Sequence, residues 1–526
     1  MPDPAASIVA VLLRPIAGLA EIEPLRVYIN DWRESRRRLG RRLPSQRPFG
    51  LSLDEEIPSI LTAALIAMGL MSTSPSLAQD VGVPASSSSS RSPVDDPGSS
   101  APTLSSPPPS PRERRGLPSP WSSPPFPGSE FTGPTIGAPV SDYDYFLKSL
   151  WKDTALGRAL SDSRIDVYGW ANVGWNWSTS RDSNTPNSYD LVPNQVLLNQ
   201  LVLRVERQLD TVQTSHDDWG FRVSNVFGTD YRYTVAKGWF DHQLLKENQL
   251  YGFDMPELYF QYYTPTVAEG LVLRVGRIIS PPDIEAQLAP DNYLYSHSTM
   301  FSVDPYTFTG VFATVRLDPQ WQVQAGVHAG SDNAPWTDSA SPNAHLMARW
   351  TSADNSDSIW AGINSLGEGK YRDGKDNLQQ VVGTWSHRFS DRVHMATELY
   401  YMWQRDALRG GTVNDGPVRR FGGGGGPGDL IPGVSDSFGA VNYLQFQIDD
   451  VSYVSIRNDF LADYKGQRTG YRNDYSSHTI GYSRNLTPWA TVRPEIKYER
   501  GYSTPAYDLG RKSDQWKFAV DLIIRF

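Results

Sequence analysis

Residues 311–330 read VFATVRLDPQWQVQAGVHAG. Val311, Ala313, Val315 and Leu317 alternate with Thr314 and Arg316. After DPQ, Trp321, Val323, Ala325, Val327 and Ala329 alternate with Gln322, Gln324, Gly326 and His328. Successive strand side chains point to opposite faces, so this period of two gives each segment one apolar and one wet face. Three residues between two such runs make a hairpin. The same alternation recurs in Val492, Ile496 and Tyr498 against Arg493, Glu495, Lys497 and Glu499. It recurs again in Trp516, Phe518, Val520, Leu522, Ile524 and Phe526 against Lys517, Asp521 and Arg525.

Worked outward from there, about sixteen such segments run from 163–177 to 515–526. The gaps between them alternate in length. Long ones fall at 178–194, 229–254, 279–306, 331–342, 365–377, 405–437, 464–474 and 500–514. Between them lie short ones such as 318–320, 390–391, 449–450 and 485–488. A soluble sandwich has no reason to put every long connection at one end. A transmembrane antiparallel β-barrel does, with short turns on the periplasmic side and long loops outside. An even strand count puts both termini on the short-turn side. Closure also pairs every backbone group in lipid and leaves no edge. The predicted fold class is therefore all-β, a barrel over 161–526 in the bacterial outer membrane, preceded by other material.

Composition agrees. Cysteine is absent from the 526 residues, which excludes disulfide scaffolds, Cys-ligated metals and thiol catalysis. The net charge of −9 gives no reason to expect nucleic acid. No apolar run is long enough for a membrane helix. Of 16 Trp and 26 Tyr, 13 and 23 lie beyond residue 160, so the first 160 residues are of another kind. Residues 60–71, ILTAALIAMGLM, followed by Ser76-Leu77-Ala78, fit an export signal cleaved after Ala78, so that 1–78 is read as an upstream extension and signal peptide. Residues 79–141 are rich in Ser and Pro and have too little apolar area to offset ordering entropy, so a disordered periplasmic linker is expected. Leu147, Leu150, Trp151 and Ala155 share a helical face, which predicts a short amphipathic helix over 142–160, either packed at the barrel mouth or plugging it.

Residues 255–336 contain MPELYFQYYTP, then GLVLRVGRIISPP, then YSHS at 295–298, the Thr307–Gly310 stretch TFTG and the Trp-led strand 321–330. This succession resembles the beta-barrel porin-2 (OmpL-like) family, over about 163–526. Where that family often has His before its Thr-Gly pair, this chain has Phe308. The C-terminal strand, with Phe518, Leu522, Ile524 and a final Phe526, looks like the signal read by barrel-assembly machinery. The resemblance implies an outer-membrane porin and supplies no substrate.

Sixteen strands leave room for water inside. Function then lies in what narrows the pore. By analogy with general porins, the third long gap, 279–306, is expected to fold inward with Asp283, Glu285, Asp291 and Asp304. Strand parity offers Arg204, Arg222, Arg274, Arg316, Arg493, Lys497 and Arg525 as facing cations. Facing rows of opposite charge would orient polar solutes. Tyr443 shares parity with Gln445 and Gln447 and should face the lumen, while Trp170, Trp321, Tyr498 and Trp516 are candidates for interfacial girdles.

The glycine run 422–426 and the GEGK at 367–370 lack the Lys-Ser/Thr of a phosphate loop. The eight His show no metal spacing, and no cofactor is expected. Expected partners are outer-membrane lipids, the assembly machinery, small polar solutes and further copies of the chain, such as a trimer. Passive diffusion of small polar solutes or ions is the predicted function, without enzymatic activity. Two alternatives stay open: a structural or adhesive barrel with a closed lumen, and a barrel hydrolase centred on His297.

Overall fold

A computed structural model describes residues 135–140, 146–186, 189–281, 283–410 and 428–526. The expected export signal, nearly all of the Ser/Pro-rich linker and the glycine run lie outside the described residues. Two helices precede the barrel, α1 (Phe146–Trp151) and α2 (Ala155–Asp162). The single helix expected over 142–160 is thus two, broken where Thr154 caps α2 by accepting a hydrogen bond from Gly157 N at 3.0 Å. Gly157 is their only buried residue, so neither helix enters the lumen.

Sixteen strands follow: β1 (Asp166–Ser178), β2 (Val196–Arg207), β3 (Asp218–Gly228), β4 (Gly252–Thr264), β5 (Leu271–Ile279), β6 (Thr307–Arg316), β7 (Trp321–Ser331) and β8 (Asn343–Thr351). The second half comprises β9 (Asp357–Leu366), β10 (Gln379–Ser390), β11 (Val393–Arg405), β12 (Val434–Asp449), β13 (Ser452–Asp463), β14 (Asn473–Thr487), β15 (Ala490–Gly501) and β16 (Asp514–Arg525). Each pairs antiparallel with its sequence neighbours, and β1 pairs with β16 to close the barrel. All sixteen expected segments are strands, shifted by a few residues at their ends. The loop rhythm holds except at one point. The turn 208–217 is slightly longer than the loop 464–472 at the opposite end.

The seam between β1 and β16 runs from Ser178 opposite Lys517 to Gly169 opposite Phe526. Gly169 N donates to Phe526 O and Phe526 N donates to Gly169 O, both at 2.8 Å. A Cβ on Gly169 would lie 2.7 Å from the Phe526 ring and 2.1 Å from Val202 O, so only glycine fits beneath that ring.

Alternation sorts the side chains. On β16, Trp516, Phe518, Leu522 and Ile524 are exposed outward, while Gln515, Lys517, Ala519, Asp521 and Ile523 are buried inward. Outward aromatics gather near both ends. Trp219 stacks with Phe221 and Phe260 near the short turns, and Tyr498 lies 4.7 Å from Trp516 near the long loops. Trp321, at the start of β7, is outward and exposed. Trp170 belongs to neither girdle. It is buried inward and donates to Gln200 Oε1 at 3.1 Å.

Candidate functional site: an occupied lumen

The loop between β5 and β6, 280–306 (L3), crosses the barrel interior. Its described residues are buried except Pro290, which is half-buried. It contains two 3-10 turns, Ala289–Asp291 and Phe301–Val303. Polar wall side chains hold it on the far side of the lumen. Glu495 Oε2 on β15 accepts from Tyr295 N and Ser296 N at 3.0 and 3.1 Å. Asp459 Oδ1 on β13 accepts from Thr299 N at 3.1 Å, and Glu398 Oε2 on β11 accepts from Ile284 N at 2.9 Å. In the other direction, Arg493 donates to the carbonyls of Ala289 and Asn292 at 2.9 and 2.6 Å, and Lys497 to that of His297 at 2.9 Å. Gln200 on β2 donates to Gln287 O at 2.7 Å. A loop without a regular hydrogen-bond ladder must satisfy its backbone elsewhere when buried. Here the charged rows of the wall do it.

The L3 acids divide. Glu285 lies 3.3 Å from Arg457, accepts from Tyr443 OH at 2.6 Å and is also hydrogen-bonded by Ser298. Burial raises its pKa, and the Arg457 guanidinium works against that rise. Asp283 and Asp304 meet Glu398 of β11, with carboxylate oxygens of all three within 4.8 Å of one another. Burial pushes Asp283 up to about 7 and raises Asp304 well above its usual range, helped by the neighbouring acid. Asp291 is buried in the first 3-10 turn.

The expected cations are on inward rows, with Arg525 half-buried and the rest buried, but only two of them meet L3. Arg493 and Lys497 bind its carbonyls; their acidic partners are on the wall, Asp521 at 2.5 Å and Glu499 at 2.7 Å. Arg204 and Arg222 form a separate network with Glu206 and Glu257 on β2 to β4, at 2.7–3.1 Å. Arg274 donates to Gln261 and lies 4.2 Å over the Tyr259 ring. Arg525 donates to Thr491 Oγ1 at 2.9 Å. Arg316 is at the short-turn mouth, where it donates to Ile136 O at 3.1 Å. The segment 135–140 is seated there: Ile136 N donates to Gln322 Oε1 at 3.1 Å and Arg349 to Thr135 Oγ1 at 2.7 Å.

Arg457, Asp459 and Glu398 were not singled out from the sequence, and Glu495 only as a residue of the wet face of its strand. Parity could have placed the first three inward, as it did Tyr443; no local pattern says that any of them meets a distant loop. His297 is buried, hydrogen-bonded to Ala286 O at 2.6 Å and stacked on Tyr189 and Phe301. Burial lowers its pKa well below the usual value, so it is a neutral ring wedged between L1 (179–195) and L3. Phe308 stacks on His328 at 3.9 Å.

A closed antiparallel barrel with an apolar exterior, aromatic girdles, a charged interior and an inward loop is an outer-membrane porin. The chain matches the family model "Putative beta-barrel porin-2, OmpL-like" over residues 164–526 and belongs to that family. The long loops therefore face outside and the short turns face the periplasm. No curated protein matches the sequence. Similar solved structures include OmpT of Vibrio cholerae folded in vitro, at 12% identity, covering 69% of this chain and 97% of that chain, TM-score 0.43. The anion-selective porin from Comamonas acidovorans is similar at 10% identity, over 69% and 99% of the two chains, TM-score 0.41. The outer membrane channel DcaP of Acinetobacter baumannii is similar at 11% identity, over 69% and 97%, TM-score 0.41.

Proposed function

We propose that this porin passes small polar solutes or ions by passive diffusion and that L3 sets what passes. The observation that carries this reading is the fixing of L3 across the lumen by charged wall residues. Asp283, Glu285, Asp291 and Asp304 would supply the acidic side of the constriction. Arg493, Lys497 and Arg457 would supply its basic side, with Arg204, Arg222, Arg274, Arg316 and Arg525 lining the path above and below. Rows of opposite charge orient polar solutes and disfavour apolar ones. Residues 1–78 would carry export, 79–141 would tether the barrel in the periplasm, and Phe518, Leu522, Ile524 and Phe526 would be read by the assembly machinery. Further copies of the chain are its proposed partners in the membrane.

The burial of L3 favours a second reading, a structural barrel whose lumen stays closed. Single-channel recording of the purified mature chain in planar bilayers separates the two. Discrete conductance steps are expected, with selectivity shifted towards anions in an Asp283→Asn/Glu285→Gln double variant. Silence at all voltages would leave the structural barrel, and unchanged selectivity would move the constriction away from L3.

A further inference from the structure

One strip of the outer wall is not suited to lipid. On β11 to β14 the outward rows contain Thr397, Asn442, Asn458 and His478. These residues lie directly opposite one another across successive strand pairs: Thr397 with Asn442, Asn442 with Asn458, and Asn458 with His478. The row continues to Trp385, towards the periplasmic end of β10, and to Tyr498, towards the extracellular end of β15. It therefore climbs obliquely through the bilayer. Outward neighbours along the strands are mostly apolar: Ile456 and Phe460 flank Asn458, and Ala440 and Leu444 flank Asn442. At mid-strand on β1, β2, β5 and β7 the outward residues are apolar, as in Val173, Leu203, Val275 and Val327.

Hydrocarbon satisfies no polar group. Part of the requirement is met within the row. Asn442 Nδ2 donates to Thr397 Oγ1 at 2.8 Å, and Asn458 Oδ1 shares a 2.8 Å bond with His478 Nδ1. Those bonds use one polar atom of Asn458 and one of His478. Their other side-chain nitrogens make no hydrogen bond among the described residues, and both side chains are exposed. The next outward row runs Ala361, Gly383, Leu399, Ala440 and Phe460 on β9 to β13, so small residues alternate there with two exposed apolar ones.

We propose that this polar row is where a second copy of this chain packs, wall against wall. Amide and imidazole groups both donate and accept, so where two such oblique rows cross face to face, at Asn442 and Asn458 in the middle of the row, each copy offers the other matching groups, as a symmetric contact requires. In the adjacent row, Gly383 and Ala440 leave hollows on either side of Leu399 into which a partner's side chains can pack, which is how packing in a membrane gains its energy. The spanning structures of the outer membrane are themselves barrels, so the partner for a polar row at this depth is another barrel. The inference depends on membrane placement and not on conduction, so a silent channel would leave it standing.

The test uses the full chain exported to the outer membrane, extracted in mild detergent and weighed by native mass spectrometry. A multiple of the chain mass is expected. The Asn442→Leu/Asn458→Leu/His478→Leu variant should run as a single chain while keeping heat-modifiable mobility, the mark of a folded barrel. Asn225→Leu changes an outward polar residue on β3 and should keep the multimer. A single-chain wild type would overturn the proposal. So would a triple variant that stays multimeric, an Asn225→Leu variant that dissociates equally, or a different protein bound in fixed ratio in place of the second copy. If the triple variant does not fold, cross-linking decides. The chain has no cysteine, so Asn458→Cys provides one thiol per copy. A bifunctional maleimide should join two Asn458→Cys chains in intact membranes and not two Leu201→Cys chains, which carry the thiol on β2. Equal yield at both sites, or none at either, would reject the face.

Discussion

Two charged sectors of the lumen are built from the same residue types and differ in what they are used for. On β2 to β4, Arg204 and Arg222 pair with Glu206 and Glu257, wall to wall, at 2.7–3.1 Å. On β11 to β15, Glu398, Asp459, Glu495, Arg493 and Lys497 direct hydrogen bonds to the backbone of L3. The first sector is complete without any loop. The second is complete only while L3 is in place, and its groups would take up water if the loop left. A paired wall gives rigidity; a wall bonded to a loop gives a hold that can be released.

The largest effect is expected from breaking the first sector. Arg222→Met leaves Glu206 and Glu257 buried with one cation fewer. Losing one partner of a buried charge network costs about 3–5 kcal/mol. Urea unfolding of the refolded barrel should show that loss; a change below about 1 kcal/mol would mean that water already reaches this network.

In the second sector, Glu495→Ala removes the shared acceptor for two L3 amides. Hydrogen bonds to charged groups are worth about 1.5–3 kcal/mol, but a released loop regains water. A stability loss of about 1–2 kcal/mol is expected, together with larger or more frequent conductance steps. Loss of stability with conductance unchanged would show that L3 does not limit the path.

The smallest effect expected is a pH dependence. Asp283 and Asp304 are carboxyls whose pKa is raised in the docked loop, Asp283 to about 7. A raised carboxyl favours the docked form while protonated, and that contribution is lost as pH rises through the raised value. Arg468 on the loop 464–472, which donates to Val303 O, is the cation that moderates the repulsion at Asp304. Conductance should rise several-fold between pH 6 and 8, and Asp304→Asn should flatten the rise. A pH-independent conductance would separate the carboxylate cluster from any gating.

The wall was legible because alternation is local. Trp321 to Ala329 announce one strand without reference to any other, and the uneven gaps on either side state which end carries the loops. Parity also put Arg493, Lys497 and Tyr443 on the inner face. It could not say what they meet, because Lys497 is bonded to a carbonyl 200 positions away in sequence. The expectation of facing acid and base rows was accordingly too simple: of the L3 acids, Glu285 meets a guanidinium, that of Arg457, while Asp283 and Asp304 meet another acid. The helix over 142–160 was read as one because its apolar spacing runs past Thr154, whose hydroxyl starts a new helix instead. Asn458 and His478 were visible all along as polar residues on an apolar row; only the strand register aligns them.

The glycine beneath Phe526 has a consequence for where the barrel can come apart. The last residue supplies both hydrogen bonds that join the two ends of the sheet at Gly169. A side chain larger than hydrogen at Gly169 would push this end of the seam apart, although β1 and β16 stay paired from Trp170 with Arg525 to Ser178 with Lys517. The periplasmic end of the seam is thus the part most sensitive to a change at Gly169, while the paired positions further along keep the cylinder shut.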